Sequence, residues 1–199
     1  MADSAVRNEV SNELYEKGRH FTYADYKDWD LDLGERFELI HGEAYAMAAP
    51  NTYHQSILME LARQFANYLI GKPYKVFPAP FDVRLFYEED ETDDTVVQPD
   101  ISVICDKEKL SKEGCHGAPD FIAEILSPTN TATVMQQKFD LYREAGVREY
   151  WVLDPVYKTL YAYHFKDGWI IPRTFRSSGA APVEIFPGLT IELEPVFAE

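Results

Sequence analysis

The run Phe-Ile-Ala-Glu-Ile-Leu at positions 121–126 constrains the fold of this chain most, because it sets one carboxylate, Glu124, among apolar residues on both sides. A short apolar run of this length is typical of a buried strand in an α/β core. Burying an unpaired carboxylate costs several kcal/mol unless a cation or hydrogen-bond donors meet it. The sequence therefore predicts that Glu124 is present for function and not for stability.

A second carboxylate, Asp100, lies in the run Val-Val-Gln-Pro-Asp-Ile-Ser-Val-Ile at 96–104, which also has the character of a strand. If the two strands are neighbours, Asp100 and Glu124 can converge, because alternate residues of a strand share one face of the sheet. Two close carboxylates repel each other, so either one of them is protonated or a cation lies between them. Oxygen ligands of this kind suit Mg²⁺ or Mn²⁺ better than Zn²⁺.

Lys138 is the third charged residue of the expected site. It follows Val134 by four residues and precedes Leu141 by three, so helical geometry turns it toward the core. There it can donate to a metal-bound water or to phosphate oxygens. Taken alone, Asp100 could be a turn residue, and Lys138 could extend its stem along the helix surface. Together with Glu124, they predict hydrolysis of phosphodiesters with a divalent metal.

The order of the predicted elements is that of an α/β protein. The spacing of apolar residues predicts a hairpin at 36–47, a helix at 52–69, strands at 80–86, 96–104 and 121–126, a helix at 133–145, a strand at 149–154 and a second hairpin at 160–171. Capping-box spacing starts the two helices at Thr52 and Thr133. The length fits a single domain over residues 1–199, with 1–20 as a flexible or peripheral segment.

The net charge of -15 limits the partners of this chain. Polyanions are repelled at long range, so any contact with nucleic acid must be local. The basic residues expected to make that contact are Lys107, Lys109, Lys112, Arg143 and Arg148. No stretch approaches the roughly 18 apolar residues of a membrane span, and the N-terminus lacks an apolar signal core. We therefore expect a cytoplasmic protein that has no contact with a membrane.

Several motifs follow one another along most of the chain. They are FELIHGE at 37–43, HQ at 54–55, APFDVR at 79–84, VQPD at 97–100, APDFIAEILSP at 118–128, Lys138, YREAGVREYWVLDP at 142–155 and FPGL at 186–189. In this order they resemble the Uma family, a family of endonucleases in the PD-(D/E)XK restriction-endonuclease-like superfamily. Several motifs in order are far more specific than any one of them alone.

The resemblance implies a restriction-endonuclease-like core, in which helices flank a mixed central sheet in the order α-β-β-β-α-β, with β-hairpin additions at both ends. It also implies an endonuclease that cleaves DNA with Mg²⁺ or Mn²⁺. Double-strand cutters of this superfamily often act as dimers, so a homodimer is one expected state, but the sequence does not determine the oligomeric state. Asp100 would be the acidic residue of the PD element and Glu124 the second carboxylate, with the backbone carbonyl of Ile125 as a further metal ligand. Asp82 is similar to an additional acidic position, either another ligand or the salt-bridge partner of an arginine.

The chain departs from the superfamily pattern at Leu126, because a lysine is expected two residues after Glu124. The resemblance suggests that Lys138 has taken over the role of that lysine. Glu38 and His54 also match positions of the family. A hairpin glutamate and a histidine at a helix N-terminus can each be satisfied by backbone donors or water, so the two are candidates only for supporting the residues that bind the metal. If Lys138 has not taken over the role, the alternative is a catalytically silent module that binds nucleic acid or another protein with the nuclease fold.

Overall fold

The computed structural model describes residues 19–29, 36–127 and 132–198, and the segment expected to be peripheral at 1–20 lies almost wholly outside them. The helices of the described ranges are α1 (Tyr23–Tyr26), α2 (Thr52–Leu69), α3 (Ala132–Ala145) and α4 (Leu193–Val196), with one 3-10 turn at Lys107–Lys109. The strands are β1 (Phe37–Ile40), β2 (Glu43–Ala46), β3 (Lys75–Pro78), β4 (Val83–Arg84), β5 (Val96–Val97), β6 (Ile101–Ile104), β7 (Cys115–His116), β8 (Phe121–Ile125), β9 (Glu149–Asp154), β10 (Thr159–Lys166), β11 (Trp169–Arg176), β12 (Ala180–Pro182) and β13 (Thr190–Glu192).

The larger sheet has six strands in the order β11-β10-β9-β8-β6-β3. At its centre, β8 pairs antiparallel with β6 and parallel with β9, so the sheet is mixed. Both faces of β8 are buried, which is why it reads as a nearly continuous apolar run. The elements α2, β3, β6, β8, α3 and β9 follow one another in the predicted α-β-β-β-α-β order. The expected fold class is therefore confirmed.

Two of the predicted core strands differ from the expectation. The strand expected at 80–86 is replaced in the larger sheet by β3, and only the short β4 forms within 80–86. Pro78 and Pro80 end β3, because proline has no N–H to donate to a ladder. The strand expected at 96–104 is interrupted at Pro99 for the same reason, with β5 in a smaller sheet and β6 in the larger one. Asp100 therefore lies at the junction between the two sheets.

The smaller sheet has five strands in the order β2-β1-β5-β4-β7. The predicted N-terminal hairpin is confirmed as β1 and β2, joined at His41 and Gly42, which both have positive φ. The positive φ of Gly42 favours glycine, and a Cβ at this position would also lie 2.1 Å from Nδ1 of the exposed His20 side chain, which would have to move. Every residue of β1 is buried, so the Glu38 side chain lies in the protein interior.

The two long helices cover opposite faces of the larger sheet. Leu61 and Phe65 of α2 pack in one cluster with Trp151. Leu141 of α3 packs in the other cluster with Ile122. Burying each side chain of this size stabilises the fold by roughly 1.5–3 kcal/mol, so both faces of the sheet contribute to the core.

The helix α2 spans the predicted range 52–69 but has a different cap, and α3 begins one residue before its predicted start. Asn51 caps α2, and its side chain accepts a hydrogen bond from the His54 backbone N–H at 2.9 Å, so Thr52 is the first helical residue. The helix α3 begins at Ala132, which places Thr133 inside its first turn. The cap of α3 lies outside the described residues.

The predicted C-terminal hairpin is confirmed as β10 and β11, and it is longer than expected, with eight residues in each strand. The strand β11 forms one edge of the larger sheet, and nearly all its residues are exposed. Among the helices of the described ranges, none has both the length and the apolar character needed to cross a membrane.

Candidate active site

Asp100 and Glu124 come from adjacent antiparallel strands. Ile101 pairs with Ala123 across β6 and β8, and the same register sets Asp100 opposite Glu124 at the junction of the sheets. Oδ2 of Asp100 accepts a hydrogen bond from the Ile125 backbone N–H at 2.7 Å, which ties this carboxylate to β8. The two acidic residues therefore converge as the strand pattern predicts.

Lys138 reaches Glu124 from the helix α3. Its Nζ lies 2.9 Å from Oε1 of Glu124, and the Tyr142 hydroxyl donates to the same oxygen at 2.6 Å. The two donors are four residues apart, so they project from one face of the helix. Lys138 is only 5% exposed, which excludes the alternative of a stem that ends in solvent. The structure thus brings Lys138 to the site from the direction that helical spacing predicts.

Glu38 holds the same lysine from the smaller sheet. Both carboxylate oxygens of Glu38 lie 2.9 Å from Nζ of Lys138. Oε1 of Glu38 also accepts the backbone N–H of Gln98 at 3.0 Å, which fixes its orientation. The ammonium group is therefore held between Glu38 and Glu124, one carboxylate from each sheet, and we refer to these three residues as the lysine clamp.

The charges around the lysine clamp do not balance. Burial raises the pKa of Glu124 to about 7; the charge of Lys138 opposes this shift, and those of Asp100 and Glu38 reinforce it. Burial lowers the pKa of Lys138, but the two carboxylates of the clamp outweigh this effect, so its pKa is raised and it stays protonated. Glu38, Asp100 and Glu124 lie around one ammonium group, with the His54 imidazole beside Asp100, and either protonation of Glu124 or a bound divalent cation can offset the excess of negative charge.

His54 supports Asp100. Its Nε2 lies 3.3 Å from Oδ2 of Asp100, and the residue is 8% exposed. Burial lowers the pKa of His54, but the hydrogen bond and the charge of Asp100, with a backbone hydrogen bond involving Ile125, leave the pKa raised. Nδ1 of His54 is buried without a hydrogen-bond partner among the described residues. The cap formed by Asn51 fixes the turn of α2 that carries this imidazole.

These side chains line a cleft of ≈ 760 Å³ between the two sheets. Arg36, Glu38, His54, Asp100, Glu124 and Lys138 provide its charged and titratable wall. The loop from 46 to 51 and the segment at 79–80 form the opposing, more apolar part. A concave site with a few converging polar groups is the usual form of a binding or active site.

The donors at the base of the cleft fit a hard divalent cation. Asp100, Glu124 and the backbone carbonyl of Ile125 offer only oxygen, and Mg²⁺ commonly binds through one or two carboxylates while keeping several waters. Within the ranges that the structure describes, no three His, Cys, Asp or Glu side chains form a group that could hold a metal. This arrangement suits a partly hydrated Mg²⁺ or Mn²⁺ and not a structural zinc ion.

Asp82 is not brought to this carboxylate pair. Its Oδ1 accepts hydrogen bonds from the Gln98 side chain at 2.7 Å and from the Tyr26 hydroxyl at 3.1 Å, and it lines a separate cleft of ≈ 560 Å³. The neighbouring Arg84 pairs with Asp93. The link from Asp82 to the candidate site passes through Gln98, whose backbone N–H orients the lysine clamp.

The five basic residues expected to contact nucleic acid do not line the cleft either. Lys107, Lys109 and Lys112 follow the end of β6 that lies away from Asp100, and Lys109 donates to the Ala118 carbonyl at 2.7 Å. These lysines lie far from the site because β6 runs away from the junction of the two sheets. The remaining two residues form ion pairs. Arg143 pairs with Asp140 on the surface of α3, and Arg148, at the far end of β9, pairs with Asp120. Their role in binding stays a prediction.

Two residues of the site were not identified from the sequence. The Tyr142 hydroxyl donates to Glu124, and the spacing of four residues between Lys138 and Tyr142 on α3 is the signal that indicates this contact. Gln98 supplies the backbone donor to Glu38, and its side-chain oxygen lies 3.5 Å from the Arg36 guanidinium. No local pattern could indicate this role, because it depends on a partner in another sheet.

Comparison with known proteins places this chain in a family. The sequence profile of Uma2, described as "Putative restriction endonuclease", matches residues 23–194. The chain belongs to the Uma2 family. A crystal structure described as a putative nuclease belonging to DUF820, from Anabaena variabilis ATCC 29413, is similar with a TM-score of 0.69 at 21% sequence identity. The similarity covers 89% of this chain and 97% of that chain, and at this identity it supports the shared fold alone.

Two relatives of this Uma2 chain come from Synechocystis sp. The uncharacterized protein slr1290 is 25% identical over 150 residues, covering 74% of this chain and 76% of the relative. The uncharacterized protein sll1609 is 28% identical over 136 residues, covering 67% of this chain and 74% of the relative. Both similarities extend over most of each protein, and neither name assigns an activity.

Proposed function

We propose that this Uma2 protein is an endonuclease that hydrolyses phosphodiester bonds of DNA with Mg²⁺ or Mn²⁺. The observation that carries the proposal is the ammonium group of Lys138, held 2.9 Å from Glu124 beside a second carboxylate, Asp100, at the base of an open cleft. The description of the family supports the reaction class, and restriction endonucleases act on DNA. The oxygen donors support the choice of metal.

Each residue of the cleft has a separate role in the proposed hydrolysis. Asp100, Glu124 and the Ile125 carbonyl would hold the cation, which when bound lowers the pKa of a water molecule and offsets charge on the phosphate. The attacking water gives up a proton to solvent, its oxygen bonds to phosphorus as the bond to the leaving sugar oxygen breaks, and the leaving oxygen takes up a proton from solvent. Lys138 donates a hydrogen bond to a non-bridging phosphate oxygen and so stabilises the charge that grows there. Glu38 and His54 keep Lys138 and Asp100 in place.

Cleavage of a labelled DNA with added Mg²⁺ or Mn²⁺ tests this proposal. The wild type should cleave, and Asp100→Asn should abolish cleavage. Lys138→Met should lower the rate by roughly 10²- to 10³-fold, because it removes one preorganised donor. Lys75→Met, which removes an exposed charge on β3, is the matched control and should cleave normally. A wild type that binds metal and DNA without cleaving would favour the catalytically silent alternative.

A further inference from the structure

Arg36 is a cation of the cleft to which the proposed hydrolysis gives no role. It lies one residue before β1, and its carbonyl accepts a hydrogen bond from the Met47 N–H at 2.8 Å, which extends the pairing of β1 with β2 by one position. Alternate residues of a strand share one face, so Arg36 projects to the same side as Glu38, and both line the cleft. The backbone therefore holds the Arg36 side chain beside the lysine clamp.

The guanidinium of Arg36 has donors that no protein group uses. Within the described ranges it forms no ion pair, and its one hydrogen bond, with Oε1 of Gln98, is long at 3.5 Å. Lys138, the other permanent cation of the lining, is by contrast held by two carboxylates at 2.9 Å. A guanidinium carries five N–H donors in a planar fork that matches the oxygens of a phosphate. Most of the Arg36 donors therefore have no acceptor among the described residues.

The side chain of Gln98 gives Arg36 a neighbour of fixed orientation. Its Nε2 donates to Oδ1 of Asp82 at 2.7 Å, and its Oε1 is the atom that lies toward Arg36. An ionised carboxylate can only accept and a guanidinium can only donate, so this orientation of the amide is the one that satisfies both neighbours. Asp82, which lines the other cleft, therefore keeps an acceptor in front of Arg36.

Arg36 also changes the sign of the charge in the metal-loaded cleft. At a pH where His54 is neutral and the other groups are ionised, the three carboxylates of the lining outnumber its two permanent cations by one. A bound divalent ion then makes the lining net positive, whereas without Arg36 the same metal-loaded lining would be neutral. Arg36 therefore favours the entry of a polyanion, which the net charge of -15 otherwise repels.

We propose that Arg36, oriented by Gln98 and Asp82, binds a backbone phosphate next to the scissile phosphate that Lys138 contacts. Glu38 holds Lys138, and Arg36 lies two residues from Glu38, roughly 7 Å along the strand, so the two cations reach different phosphates. A phosphate contact fixes the register of the substrate without reading its sequence. The inference rests on the proposed function for the class of polyanion, but binding through Arg36 requires neither metal nor cleavage.

Anisotropy titration of a labelled DNA duplex in EDTA tests this role apart from catalysis. Arg36→Gln should weaken binding by roughly 10- to 150-fold, the loss of a charge-assisted contact, and lower the slope of log affinity against log salt by roughly 0.9. Arg36→Lys should keep the slope and part of the affinity, because it keeps the charge but not the fork. The matched control, Arg63→Gln, removes an arginine of α2 outside the cleft and should change neither. Equal affinities of Arg36→Gln and wild type, or an equal loss in the control, would overturn the proposal.

The sequence dependence of the loss identifies the group that Arg36 contacts. A phosphate contact predicts the same loss for every duplex sequence. A loss confined to duplexes with guanine at one position would mean that Arg36 reads a base edge, and would overturn the proposal. Asp82→Asn lets the Gln98 amide take either orientation, so it should weaken binding less than Arg36→Gln and add nothing in the Arg36→Gln background. A further loss in that background would overturn the orienting role of Asp82.

Cleavage kinetics separate this inference from the proposed function. With Mg²⁺ or Mn²⁺, Arg36→Gln should raise KM and leave kcat nearly unchanged, because a phosphate beside the scissile one is bound equally in the ground state and the transition state. A fall in kcat with KM unchanged would place Arg36 at the scissile phosphate and contradict the proposal. A protein that loses duplex affinity with Arg36→Gln but never cleaves DNA contradicts only the proposed function. A protein that cleaves DNA with the same affinity and KM after Arg36→Gln contradicts only the role of Arg36.

Discussion

Replacing Lys138 with methionine should strongly destabilise the metal-free protein at alkaline pH. Methionine keeps most of the packing of the lysine stem, but it leaves Glu38 and Glu124 buried without the ammonium that lies 2.9 Å from each. Removing one partner of a buried ion pair costs about 3–5 kcal/mol, and here two carboxylates lose the same partner. We expect a loss of about 4 kcal/mol in the free energy of unfolding at about pH 8.

A double-mutant cycle assigns this loss to the lysine clamp. Glu38→Gln alone leaves Lys138 paired with Glu124. In the Lys138→Met background, the same substitution removes one of the two buried carboxylates that have lost their lysine partner. The double variant should therefore be more stable than the sum of the single losses by about 1–3 kcal/mol. Urea unfolding followed by circular dichroism in EDTA measures all four proteins. A loss below about 1 kcal/mol for Lys138→Met, or strictly additive losses, would show that the lysine clamp does not stabilise the fold in this way.

The loss should shrink as the pH is lowered. The pKa of Glu124 is raised from 4.5 to about 7 in the wild type, mainly by burial and against the charge of Lys138. Without Lys138 it rises further, so the folded state binds more protons than the unfolded state and stability falls as the pH rises. Stability linked to Glu124 is present below 4.5 and is lost as the pH rises through about 7 and beyond. An equal loss at acidic and alkaline pH would contradict this assignment.

Three further predictions concern the metal, the lysine position and the cap of α2. Calorimetric titration should show that Mn²⁺ binds more tightly as the pH rises through about 7, with release of a proton from Glu124, and a flat pH profile would count against Glu124 as a ligand. Leu126→Lys in the Lys138→Met background should restore part of any lost DNA cleavage, since it returns a lysine to the usual strand position, and a lack of recovery in a folded protein would argue against the exchange of roles. Asn51→Ala should lower the free energy of unfolding by about 1 kcal/mol through loss of the hydrogen bond to the His54 N–H, whereas Thr52→Ala should change it little.

The parts of the site that follow from local periodicity could be predicted from the sequence. Strand alternation predicted that Asp100 and Glu124 lie close together, and helical spacing predicted that Lys138 faces them; the hydrogen bonds of Asp100 to β8 and of Lys138 to Glu124 agree with both predictions. The interruption of the strand at Pro99 could have been predicted, because proline has no N–H to donate to the sheet. The assignment of β5 and β6 to different sheets, however, depends on the strands with which they pair. Secondary-structure patterns do not encode such partners.

Contacts between distant segments set the limit of prediction. Glu38 lies 100 positions before Lys138, and nothing in the spacing around either residue indicates their pairing. The basic residues after β6 were expected near the nucleic acid because they are cationic, but the direction of β6 carries them away from Asp100. Charge can be read from a sequence, whereas its position relative to a site requires the topology.

Anomalous diffraction from a crystal soaked in Mn²⁺ tests the central claim most directly. A peak is expected within coordination distance of Asp100, Glu124 and the Ile125 carbonyl, with Lys138 still in contact with Glu124. The Asp100→Asn, Glu124→Gln protein, soaked in the same way, should show no peak there. An empty site in the wild type, with Mn²⁺ bound elsewhere on this acidic chain, would contradict the assignment of these residues as a metal-dependent active site.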